Sequence, residues 1–133
     1  MQSKLFMHEN KAVKPTDSEL EILQILWEKG DATVRQVHVE MLEKKDVGYT
    51  TTLKLMQIMH EKGLVERDES SRTHIYWAAI NKLNTQNFLL NKMIHGLFGG
   101  SSGQLIMQAL GNHKVSKTEL EKIQSLINSM KDR

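Results

Sequence analysis

The spacing of apolar residues along the chain changes period twice. From Pro15 to Gly63 they recur at helical intervals. Leu20, Ile22, Leu23, Ile25, Leu26 and Trp27 make a wide apolar face, which predicts a first helix that is largely buried. Thr16 and Glu19 stand at its head with the spacing of a capping box, and Gly30 fits its C-terminal end. Thr33 and Gln36 repeat that spacing and open a second helix, to about Glu43, with Val34, Val37 and Met41 inward. A short connection carrying Gly48 leads into a third helix within the stretch from Val47 to Lys62, VGYTTTLKLMQIMHEK. Leu55, Met56 and Met59 share one face of it, three adjacent threonines (Thr50 to Thr52) stand at its start, and Gly63 stops it.

After Gly63 the period shortens. Leu64 to Arg67 and His74 to Trp77 are short β-prone runs separated by the polar stretch DESSRT, Asp68 to Thr73, a hairpin signal with a flexible tip. Three helices followed by a two-stranded hairpin is the order of a winged helix. From Asn81 the helical period returns. One stripe is Phe88, Leu89, Met93 and Leu97, and its neighbour is Leu90, Ile94 and Phe98. GGSSG at Gly99–Gly103 breaks this helix. It lacks the Gly-Lys-Ser/Thr of a phosphate loop and follows no strand, so it is expected to be a helix–helix turn. Leu105, Ile106, Ala109 and Leu110 follow on a short helix, and Ser116 with Glu119, expected as a third capping box, heads a last helix striped by Leu120, Ile123, Ile127 and Met130. These segments hold too little chain for a core of their own, which favours pairing with a second copy.

The expected architecture is mainly α with a small β-hairpin. A flexible arm without sustained period covers 1–14, a winged helix-turn-helix domain 15–80 and a helical dimerisation region 81–133.

Composition narrows the chemistry. The chain has no cysteine, which removes disulfides, thiol catalysis and Cys-based metal sites and suits a reducing cytosol. No apolar run is long enough to span a bilayer, and the start, MQSKLFMHEN, lacks the apolar region of a signal peptide. A cytoplasmic protein without membrane insertion is expected. The histidines show no paired ligand spacing, and no nucleophile-elbow or Ser-His-Asp signature is present. Neither an enzyme, nor a metal site, nor a cofactor is expected.

Nucleic acid is the partner that the third helix suggests. In a helix-turn-helix the second helix lies in the major groove with its N-terminal residues at the base edges. A threonine hydroxyl can bond phosphate or base, and its methyl can touch thymine. Thr50, Thr51, Lys54 and Gln57 lie away from the apolar face and would meet the groove, with Tyr49 among the contacts. Thr33 and Arg35, at the positive end of the preceding helix, would hold phosphate, and Arg72 on the wing would reach phosphate or the minor groove.

Charge argues in both directions. Residues 15–80 hold 8 basic and 12 acidic side chains, a net −4, whereas 81–133 hold 7 and 3, a net +4. A net acidic domain is unfavourable for neutralising phosphate. Yet Val47 to His60 holds one basic residue and no acidic one. Two classes therefore stand: a dimeric DNA reader, and a winged-helix protein-interaction module that binds no DNA.

A set of local features occurs in a telling order. It comprises Thr-Thr at the start of the third helix, Lys62-Gly63 at its end, the polar hairpin and Tyr76. After these come Leu97-Phe98-Gly99-Gly100-Ser101, a short apolar helix, and the Ser-x-x-Glu-Leu helix. From about Pro15 to Met130 the chain thus resembles the penicillinase-repressor family, the regulators of β-lactamase and methicillin-resistance operons, together with the copper-responsive repressors related to them. The resemblance implies a homodimeric winged-helix repressor of transcription on a pseudo-palindromic operator. Its partners would be double-stranded operator DNA and a second copy of itself. In some members a membrane-bound sensor metalloprotease signals and the repressor is cleaved.

The chain departs from the family in three places. Ile58 stands where the family often has a basic residue, and the cysteine cluster of the copper-responsive branch is absent, so copper sensing of that kind is not expected. Asn87-Phe88 resembles the type of bond cut in the family, but lies about one helical turn early when the chain is aligned on Gly99-Gly100. The resemblance therefore implies a cut within the helix from about Lys82 to Phe98 rather than at a named bond.

Overall fold

Two reciprocal capping boxes set the first two helices in place. Thr16 Oγ1 accepts the Glu19 amide at 3.2 Å, and the Thr16 amide donates back to Glu19 Oε1 at 2.9 Å. Thr33 and Gln36 repeat the exchange at 3.1 and 2.9 Å. In a computed structural model that describes residues 14–133, the elements are α1 (Asp17–Lys29), α2 (Val34–Leu42), α3 (Tyr49–Lys62), β1 (Val65–Asp68), β2 (Ile75–Ala78), α4 (Lys82–Leu97), α5 (Ser102–Asn112) and α6 (Lys117–Lys131). The arm expected over 1–14 lies outside the described residues except for Lys14. The fold is a winged helix followed by a helical C-terminal part.

Helix ends follow the glycines. Gly30 takes φ 84° and donates to Leu26 O at 2.8 Å, and Gly63 takes φ 83° in the left-handed region, where a β-carbon would be strained. At GGSSG the chain turns from α4 to α5 through Gly99 and Gly100, both at positive φ, and Ser101 Oγ then caps α5 by accepting the Gln104 amide. At α6 Ser116 Oγ accepts the Glu119 amide at 3.1 Å. The return bond differs from a full capping box, because it runs from the Ser116 hydroxyl to Glu119 Oε1 at 3.4 Å.

The core draws on every element up to the hairpin. Ile22, Leu23, Ile25 and Leu26 of α1 meet Val34, Val37 and Met41 of α2, Met56 and Met59 of α3, and Leu64, Val65 and Tyr76. Side chains of this size contribute about 1.5–3 kcal/mol each on full burial. Leu55 is half-buried against the same core.

The strands pair antiparallel, Val65 opposite Ala78 and Asp68 opposite Ile75. Ala32, between α1 and α2, adds a further rung, exchanging two backbone bonds with Tyr76 at 2.9 and 2.8 Å. Trp27 leans on the core and its indole N–H donates to Ile80 O at 3.0 Å. These bonds tie the second strand, and the residues just after it, to α1 and the link that follows α1.

The chain divides into two compact units between Asn87 and Phe88, inside α4. The second unit, Phe88–Arg133, contains no buried residue. Leu97 is 73% exposed and Met107 67%. Phe88, Leu89, Leu105, Leu110 and Ile123 are half-buried, and Met93, Ile106, Leu120 and Ile127 are exposed. Among the described residues no helix is long and apolar enough to cross a membrane.

Candidate nucleic-acid interface

The third helix presents two faces of opposite character. Thr52, Met56 and Met59 are completely buried, whereas Thr50, Thr51, Lys54 and Gln57 are exposed. The exposed set follows helical spacing, with Thr50, Lys54 and Gln57 at i, i+4 and i+7. Thr52 parts company with its two neighbours: it turns inward, next to the methionines. Gly48 is the N-cap of this helix and supplies no side-chain bond, so the first-turn amides have no side-chain partner.

Tyr49 opens α3 and is 39% exposed. The Arg35 guanidinium lies over that ring, 5.1 Å from its centre, at cation–π distance. The His38 ring meets Tyr49 edge to face, with centroids 5.4 Å apart and planes at 86°. His38 Nδ1 is hydrogen-bonded to Thr52 Oγ1 at 2.9 Å. Arg35 and Tyr49, two residues singled out in the sequence, are thus in contact. They are joined by His38, which the sequence singles out for no role. Its signal is present but local: His38 stands four residues after Val34, on the inward side of α2.

Thr33 is the N-cap of α2 and its oxygen accepts the Gln36 amide, which leaves the hydroxyl proton free to donate to an anion. Arg72 is exposed at the hairpin tip. No hydrogen bond, ion pair or ring contact among the described residues joins it to the Arg35–Tyr49 assembly.

The tip has its own internal chemistry. Arg67 pairs with Glu69, donates to the Tyr76 hydroxyl at 3.2 Å and lies over the Tyr76 ring. The Glu69 carboxylate, and after it the Tyr76 hydroxyl, hold the Arg67 guanidinium above its ordinary pKa. Arg67 in turn holds Glu69 below the usual carboxylate value. The Ser70 amide, donating to Asp68 Oδ1 at 2.9 Å, does the same to Asp68.

Ion pairing sorts the charges of residues 15–80. Lys29 pairs with Glu40 at 3.6 Å, Lys45 with Glu21 and Lys62 with Glu19 at 2.8 Å each, and Arg67 with Glu69. Among the described residues, Arg35, Lys44, Lys54 and Arg72 pair with no carboxylate. The exposed cations on α2, on α3 and at the hairpin tip are therefore available to an outside anion, although the domain as a whole is acidic. No cluster of three or more His, Asp or Glu suited to a metal occurs among the described residues.

The family match runs along nearly the whole described chain. The profile of the penicillinase repressor family matches residues 15–129. The chain is 25% identical over 125 residues to the penicillinase repressor of Staphylococcus aureus, covering 91% of this chain and 96% of that one. It is 20% identical over 120 residues to the methicillin resistance regulatory protein MecI of Staphylococcus aureus strain N315, covering 90% and 98%. It is 33% identical over 67 residues to the transcriptional regulator BlaI of Mycobacterium tuberculosis, covering 50% and 49%. The chain belongs to the penicillinase repressor family, which makes it a DNA-binding transcriptional repressor and not an enzyme.

Proposed function

We propose that this repressor binds a pseudo-palindromic operator as a homodimer. Thr50, Thr51, Lys54 and Gln57 read the groove with Tyr49 beside them, and Thr33, Arg35 and Arg72 hold phosphate. One observation carries the reading. The basic side chains assigned to DNA, Arg35, Lys54 and Arg72, all lack a carboxylate partner among the described residues, as does Lys44, whereas Lys29, Lys45, Lys62 and Arg67 are each paired. An unpaired cation gains from phosphate without first giving up an internal partner.

The dimer is held by the region 81–133, through Phe88, Leu89, Met93, Leu97, Leu105, Ile106, Leu110, Leu120, Ile123 and Ile127. Their exposure or half-burial in the single chain supports this. Two linked readers bind the second half-site at high effective concentration, which raises affinity by roughly 10²-fold or more. The regulated genes serve antibiotic resistance, as the names of the staphylococcal relatives suggest. Induction proceeds by a cut within α4 that follows signalling by a membrane sensor metalloprotease. The location of the boundary between the two units inside that helix supports the choice of α4.

A salt titration tests the reading. On a duplex selected from a random pool by the protein itself, log affinity should fall linearly with log salt. Affinity indifferent to salt would argue against phosphate contacts. For induction, the host is challenged with a β-lactam and the protein followed by immunoblot and mass spectrometry. Derepression with the chain still full-length would remove the proteolytic step.

A further inference from the structure

The start of α3 is anchored differently from the other helices. Among the described residues α1, α2, α5 and α6 begin on a Thr or Ser whose oxygen accepts a first-turn amide, and Asn81 does the same for α4. At α3 the N-cap is Gly48, which has no side chain to offer. The first turn is held from the side, by α2. Thr52 points inward, fully buried, and His38 Nδ1 is the hydrogen-bond partner of its hydroxyl. On the outer side of the same turn, Tyr49 meets the His38 ring by its edge and receives Arg35 on its face. One imidazole therefore touches an inward and an outward residue of the same turn.

We propose that His38 is a positioning residue for DNA binding. Through Thr52 it fixes the rotation of α3 about its axis, and through Tyr49 it fixes the platform on which Arg35 is laid. The inference rests on the DNA-binding reading and adds a coupling to it: the contribution of Arg35 to affinity depends on His38, a residue with no contact to DNA of its own. A histidine that only filled space would lower the stability of the fold but leave the contribution of Arg35 unchanged.

The test is a double-mutant cycle in the full-length protein. Binding to a duplex selected from a random pool by the wild-type chain is followed by fluorescence anisotropy. The proteins are wild type, Arg35→Ala, His38→Ala and the double variant, at a temperature where circular dichroism reports each as folded. Arg35→Ala is expected to weaken binding about tenfold in the wild-type background and less than about threefold in the His38→Ala background. His38→Ala should flatten the salt slope by roughly one unit, as Arg35→Ala does.

His38→Phe keeps a ring edge for Tyr49 and gives up the bond to Thr52; it should restore most of the Arg35 effect. Where His38→Ala does not stay folded, His38→Gln, which keeps a polar group for Thr52 but has no ring for Tyr49, takes its place in the cycle. Equal Arg35→Ala losses in both backgrounds, or a salt slope unmoved by His38→Ala, overturn the proposal. A wild-type protein that selects no duplex overturns the DNA-binding reading itself, a result distinct from binding with additive losses.

Discussion

Glu19 and Lys62 lie 43 residues apart in the chain and meet at 2.8 Å. Glu19 is 2% exposed, and its other oxygen accepts the Thr16 amide. One carboxylate thus caps the start of α1 and anchors the end of α3. Lys62→Met should leave the Glu19 charge with a single bond and lower the unfolding free energy by about 1–3 kcal/mol. Urea denaturation measures this. A loss under about 0.5 kcal/mol, within the range of ordinary surface substitutions, would mean that water replaces the lysine without cost.

Lys54 and Lys29 make a matched contrast, because one is unpaired and the other faces Glu40. Lys54→Ala should weaken operator binding by about 1–3 kcal/mol, and should reduce the salt slope by roughly one unit if its ammonium also holds a phosphate. Lys29→Ala should leave the slope in place. Thr51→Ala should cost affinity without changing the slope, as expected for a base contact. Equal slopes for all three variants would remove Lys54 from phosphate contact, and an unchanged affinity for Lys54→Ala would remove it from the groove.

The C-terminal helices give a prediction about assembly. Ile106→Asp combined with Leu120→Asp should convert the proposed dimer to a monomer while α1 to β2 keep their melting transition. A chain ending at Asn87, which retains the Trp27–Ile80 bond and buried Thr85, should also sediment as a monomer. Analytical ultracentrifugation decides both. A dimer that survives either change has its interface elsewhere.

Acid should loosen the hairpin tip. Asp68 and Glu69 both have folded pKa values below their unfolded ones. The stability they contribute is complete above the unfolded values, near pH 4, and is lost as pH falls through the lower folded values. The Ser70 amide, which donates to Asp68, should shift in NMR spectra with a midpoint below about pH 4. Asp68→Asn should abolish that titration. A Ser70 amide that still titrates in Asp68→Asn would assign the event to another group.

The helices and the hairpin are legible in the sequence because their signals are local. Thr16 with Glu19, Thr33 with Gln36, and Gly63 act within a turn of their own position. The split among the three threonines is harder to see. Thr51 and Thr52 differ by one step around the helix, and the methionines decide which of them turns inward. The charge balance is misleading for a different reason. Lys62–Glu19 and Lys45–Glu21 are tertiary pairs, so a count of acids over 15–80 cannot reveal which lysines they occupy. His38 combines both difficulties: its inward side follows from periodicity, but its bond to Thr52 exists only once α2 and α3 have packed.

The place of Trp27, partly buried against the core and bonded to Ile80 O, has an optical consequence. The chain has two tryptophans, and the other, Trp77, is 36% exposed and takes no such bond among the described residues. Because Trp27 is partly buried against the core and Trp77 is exposed, the two indoles should emit at different wavelengths, with Trp27 the bluer. Its emission reports on the residues that lead into α4. A Trp77→Phe variant would leave a single fluorophore beside the root of that helix, able to signal in real time when the backbone at Ile80 pulls away.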